Sequence, residues 1–145
     1  MMDRIQSDLK EAMKSGDKIA VSTLRLLLSM MRYASIEAKR ELREDETAAL
    51  IQKAIRARRE SIEAFRKGNR PDLVQREEAE LGILTAYLPA QLEGEELERA
   101  VDQVLAETGI TQKKDLGRAM KEFMARHRGK ADGKAVSAVL GARLK

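Results

Sequence analysis

Lys113, Lys114, Arg118 and Lys121 crowd one short stretch, and the following segment RHRGKADGK (126–134) adds Arg126, Arg128, Lys130 and Lys134. Residues 109–145 hold ten lysines or arginines against three acids, Asp115, Glu122 and Asp132, whereas residues 1–108 carry a slight negative excess. Cations clustered in this way suit contact with phosphate oxygens, the usual footprint of a nucleic-acid partner. Lys114, Arg118 and Lys121 are spaced four and three apart, so a helix would set them on one face. That row either meets phosphates or forms the solvated polar face of an amphipathic helix. A helix beginning after Asp132 would also aim free N–H groups at the RHRGKADGK turn, where an anion could sit if the Asp132 carboxylate did not fill the place first.

Other chemistries find little support. The chain has no cysteine, which removes disulfides, thiolate metal sites and cysteine nucleophiles. Its one histidine, His127, reads as an exposed polar residue, since a metal cluster or a serine triad needs more partners. Paired carboxylates such as Glu77 and Glu78 lie within charged helical faces and mark no acid–base pair. No catalytic residue, metal or cofactor is expected. Lys53, Arg56, Arg58 and Arg59 form a second basic run, but Glu60 and Glu63 follow at helical spacing, and intrahelical pairing accounts for them. Arg25, inside the apolar TLRLLLSMM, reads either as a residue at the margin of the buried face or as a charge paired across helices with a later acid such as Glu77 or Glu80, because a lone buried charge is costly. No apolar run is expected to approach the ~20 residues that span a bilayer, and the N-terminus lacks a signal-peptide pattern. The expectation is a cytoplasmic protein with no membrane partner.

The elements that must position these cations are helical throughout. Of the 145 residues, 43% are hydrophobic but only 3% aromatic, so the core must be aliphatic. Apolar residues recur with helical period and nowhere with strand period. The pattern predicts helices over about 2–15, 18–40 and from Asp45 as a cap to near Gly68. A fourth spans about 72–87, with Tyr87 and Leu88 packed inward. In the second helix, Leu26 and Met30 beside the main stripe suggest burial on more than one side. The pattern breaks at Leu88-Pro89, since the residue before proline is pushed out of the helical region. Residues 89–94 are expected as an exposed connector. Three further helices follow: one ending at Gly109, one capped by Thr111 and closed by Gly129, and one capped by Asp132. The fold class is all-α, with an N-terminal domain of about four helices (1–90) and a three-helix C-terminal domain (93–145).

The segments STLRLLLSMM (22–31), RRESIEAFRKGNRPDL (58–73), EEAELGILTAYLPAQL (77–92), DLGRAMKEFM (115–124) and GKADGKAV (129–136), in this order and spacing, resemble the YqeY family. That family shares its C-terminal part with the tail domain of GatB, a subunit of the tRNA-dependent amidotransferase. The resemblance implies a GatB-tail-like, tRNA-contacting module over about residues 93–145. The family label implies a carbon–nitrogen ligase with glutamine as amide donor, although the catalytic domains of the amidotransferase have no counterpart in this chain. Lys130 stands where the family often has arginine and lacks the bidentate fork. The resulting expectation is a partner in tRNA or another structured RNA, held by Lys113, Lys114, Arg118, Lys121, Arg126, Arg128, Lys130 and Lys134. The alternative is a helical adaptor for a translation or amidotransferase component.

Overall fold

Gly16 takes the left-handed conformation that ends α1 (Met2–Ser15), and Asp17 accepts the Ala20 amide to cap α2 (Lys18–Ala38). A computed structural model describes all of residues 1–145, and no strand interrupts its helices. The order continues with α3 (Glu44–Lys67), α4 (Pro71–Thr85), α5 (Gly94–Thr108), a single 3-10 turn (Lys113–Asp115), α6 (Leu116–Arg126) and α7 (Gly133–Arg143). The protein is all-α. The chain divides into two compact units, Met1–Leu88 and Pro89–Lys145.

In the first unit, the α2 stripe Leu24, Leu27, Leu28 and Met31 is buried with Ile5 of α1, Ile51 and Ile55 of α3, and Leu84. Each such side chain contributes about 1.5–3 kcal/mol by leaving water. Tyr87 is also buried there and donates its hydroxyl proton to Asp8 at 2.5 Å, while Leu88 packs at the margin. Burial first, then the hydrogen bond to Asp8, pushes the Tyr87 phenol well above its ordinary pKa.

Several local expectations are corrected. The N-cap position of α3 is Arg43, not Asp45. Glu46 caps the start of α3 by accepting the Arg43 amide at 3.0 Å, and it also pairs with Arg40 at 2.6 Å. These bonds, Arg40 first, lower its carboxyl pKa to about 2. After α3 the left-handed residue is Asn69, one beyond Gly68. Arg25 is exposed and forms no ion pair. The α4 acids instead meet Arg58 of α3, at 3.6 Å to Glu77 and 3.0 Å to Glu80. The α3 and α4 helices pack along one another, which puts Arg58 within reach of both acids and leaves Arg25 of α2 facing water.

The α2 helix also departs from two readings. By length and composition it is long and apolar enough to cross a membrane, contrary to the expectation of no such run. Here its main stripe is the core of a helical unit. Its flanking Leu26 is not buried a second time but stands 48% exposed, and Met30 is half-buried.

In the second unit, α5, α6 and α7 pack pairwise around Val101, Val104, Ala119, Phe123, Val136 and Leu140, each 0–1% exposed. The Thr111 side chain caps nothing: a 3-10 turn intervenes, and its carbonyl accepts the Lys145 amide. Asp132 stands at the N-cap of α7 with extended backbone, yet its carboxylate takes no α7 amide.

Candidate functional site

All eight cations singled out in the sequence lie on the surface of the second unit. Lys113 and Lys114 occupy the 3-10 turn that leads into α6. Arg118 and Lys121 lie on α6 opposite Ala119 and Phe123, which are fully buried. This follows from helical spacing, since Ala119 and Phe123 stack one turn apart while residues 118, 121 and 125 share the far side. Gly117 and Ala125, one on either side of Arg118 and Lys121 in the chain, are exposed and too small to cover them.

The turn after α6 carries the remaining cations. Helix α6 stops at Arg126, and Gly129 adopts φ 72, a left-handed backbone that a β-carbon would penalise. Two residues that sequence reasoning assigned to a free connector hold this turn. Gln91 donates from Nε2 to the Gly129 carbonyl at 2.6 Å, and the Leu92 amide donates to the Lys130 carbonyl at 2.6 Å. Gln91 and Leu92 are half-buried, so only Pro89, Ala90, Glu93 and Gly94 of residues 89–94 are exposed. No local pattern announces this clamp, because both bonds end on backbone carbonyls some 38 residues away.

The electrostatics sort the cations into two sets. Helix α5 gathers the acids of the unit, including Glu98, Asp102 and Glu107. Arg126 is bound to Glu107, and also lies 3.9 Å from Glu122. Arg143 is bound to Asp102 at 2.9 Å and Glu98 at 3.6 Å. Arg118 has a looser partner in Asp115 at 3.7 Å, and Lys134 is also engaged. Lys113, Lys114, Lys121, Arg128 and Lys130 are exposed and make no ion pair with a carboxylate. The arginines nearest the acidic helix are thus consumed, while a five-cation set is left facing water.

His127 departs from its reading as an exposed residue. Its ring centroid lies 4.6 Å from that of Phe123, and the residue is half-buried. Burial, then Lys130 and Arg126, push the imidazole below its ordinary value near 6.5. The unfolded chain therefore binds the proton more readily than the folded one, and acid favours unfolding. Stability of the second unit should rise with pH from the lowered folded value up to the unfolded one, then level off above it. Thermal melts between about pH 5 and pH 8 should show this component, and His127→Gln should remove it.

Comparison with known proteins places the chain. The YqeY family profile, described as Yqey-like protein, matches residues 2–144. A protein of Pyrenophora tritici-repentis named "Altered inheritance of mitochondria protein 41, mitochondrial" is 35% identical over 136 residues, covering 90% of this chain and 73% of that protein. A protein of the same name from Lachancea thermotolerans is 42% identical over 85 residues, covering 58% of this chain and 46% of that protein. The match therefore spans less than half of the second relative. These names overturn the expectation of a cytoplasmic protein, since they are those of mitochondrial proteins. The physical reason is that lacking a secretory pattern speaks against secretion, and does not separate one aqueous interior compartment from another. The chain belongs to the YqeY family.

Proposed function

We propose that the second unit binds structured RNA, such as tRNA, through phosphate contacts made by Lys113, Lys114, Lys121, Arg128 and Lys130, with Arg118 at the edge of the set. The observation that carries this reading is the sorting of charge. Arginines close to α5 are neutralised by its acids, and the cations on α6 and the following turn keep their charge for a partner. The resemblance to the tRNA-contacting tail of GatB supports the same surface. On this reading the surface would serve tRNA-dependent amidotransfer as an RNA-holding part. The names of the relatives point to mitochondria as the setting.

Recognition would be by phosphate and shape. Phe123 is fully buried and Phe65 half-buried, so neither phenylalanine is presented for base stacking. Phosphate contacts position a partner without reading its sequence. Full-length protein titrated with two tRNAs of unrelated sequence should bind both within a few-fold. Affinity should fall steeply with salt, as counterions released on binding are recaptured. Absence of binding at low salt, or affinity indifferent to salt, would remove this reading.

A further inference from the structure

Beyond the RNA surface, the solvent face of α2 carries a seven-residue repeat. Lys18, Arg25 and Arg32 recur at intervals of seven, with Lys39 next in the series just past the left-handed end of the helix, and Ile19, Leu26 and Tyr33 each follow a cation directly. A third row, Ser22, Ser29 and Ile36, lies three residues beyond. The second and third rows stand as the two core positions of a coiled-coil seam, and the cations stand as one flank. None of this repeat serves the unit's own core, which uses Leu24, Leu27, Leu28 and Met31. Leu26 is 48%, Tyr33 69% and Ile36 75% exposed. At its N-terminal end the seam opens into a groove of about 620 Å3, lined by Ile19 and Ser22 of α2 and by Gln75 and Ala79 of α4.

The cation row is unpaired along its whole length. Lys18, Arg25, Arg32 and Lys39 make no ion pair, whereas Arg4, Arg40, Arg43, Arg66, Arg70 and Arg76 in the same unit all do. We infer that this face docks an amphipathic helix of a partner protein, whose apolar stripe covers Leu26, Tyr33 and Ile36 and whose acidic edge meets Arg25 and Arg32. A second copy of this chain is a poor occupant. An antiparallel pairing would bring the cation row against itself, and a parallel one would set it against Thr23, Met30 and Glu37, of which only Glu37 is acidic. Leu26 and Ile36, aliphatic side chains 48% and 75% exposed, distinguish the face from a nucleic-acid site, where they would have nothing to cover. Interleaved charge and apolar rows of this kind set both partner choice and register.

The probes are two designed helical peptides of about three heptads, with leucine at the core positions and either glutamate or lysine on both flanks. Binding to the full chain is followed by fluorescence anisotropy. The glutamate peptide should bind at least about tenfold more tightly than the lysine peptide, and Arg25→Glu with Arg32→Glu should reverse that order. Leu26→Ser with Tyr33→Ser should weaken the glutamate peptide by about tenfold or more, with helicity retained because both residues are exposed. If the serine variant fails to fold, the charge reversal decides alone. Equal affinity for both peptides, or binding of neither, overturns the inference. So does loss of tRNA or anionic-vesicle binding in the charge-reversed variant without any peptide binding, which would assign the face to RNA or lipid. A wild-type dimer in sedimentation that the serine variant abolishes would assign it to a second copy. The RNA surface shares no residue with this seam, so either reading can fail while the other stands.

Discussion

Phe123→Ala should strip the second unit of most of its stability. Phe123 is the largest fully buried side chain in the chain, and it lies among Val101, Val104, Val136 and Leu140. Truncating a buried phenylalanine costs about 3–5 kcal/mol, combining lost transfer energy with an unfilled cavity. A unit of this size holds roughly 3–8 kcal/mol in total, so the change removes most of its margin. His127 loses the ring it stacks against, and the turn carrying Arg128 and Lys130 loses its anchor. Circular dichroism should show an early loss of the second unit's helix signal with the remainder melting later. A single transition at the wild-type temperature would contradict the packing described.

Arg58→Ala should destabilise the first unit by about 3–5 kcal/mol. Arg58 faces both Glu77 and Glu80, and Glu80 is only 8% exposed. Arg76 also approaches Glu80, at 3.7 Å, but from a much more exposed position. The Arg58 Nε and one Glu77 oxygen have no aligned hydrogen bond, so the pair is held by proximity of charge more than by directed bonding. Removing the cation leaves two glutamates about one helical turn apart with little water to solvate them. Replacing Arg58 and the more buried acid together, as Arg58→Met with Glu80→Leu, should recover part of the loss, since buried charges exchange for apolar contacts at nearly equal stability while Glu77 keeps its charge. Urea melts of the single and double variants check this. A double variant no better than the single one would mean that burial of charge is not the cause.

The apolar periodicity was enough to read the helices and their cores. Stripes such as Leu24, Leu27, Leu28 and Met31, or Ala119 and Phe123, are local facts of spacing, and the structure buries them. Caps were less legible. Glu46 takes the role expected of Asp45, because the helix starts at Glu44 and the third side chain of its first turn reaches back to the Arg43 amide. Long-range partners were not legible at all. Arg58 and not Arg25 meets the α4 acids, and Gln91 clamps the RHRGKADGK turn through a backbone carbonyl that carries no sequence signature. Leu26 shows a deeper ambiguity: an apolar residue outside the main stripe looks the same whether it faces a second internal neighbour or a partner in solution. The cations of the candidate site were all expected at the surface and lie there, but which of them are spent on α5 depends on helix packing. Arg126 stood in the RNA-contacting set, and the structure ties it to Glu107.

Whether the unpaired cations on α6 and its following turn hold RNA by its phosphates is tested most directly by salt. The measurement is tRNA affinity across a salt series, in wild type and in the variant Lys121→Gln, Arg128→Gln, Lys130→Gln. These residues are exposed and outside the core, so circular dichroism should be unchanged. Each phosphate that the variant no longer neutralises should take roughly 0.7–0.9 from the slope of log affinity against log salt, flattening it by about 2 when all three cations are replaced. A well-folded triple variant with wild-type affinity and an unchanged slope would contradict the account and leave this surface as a solvated helix junction.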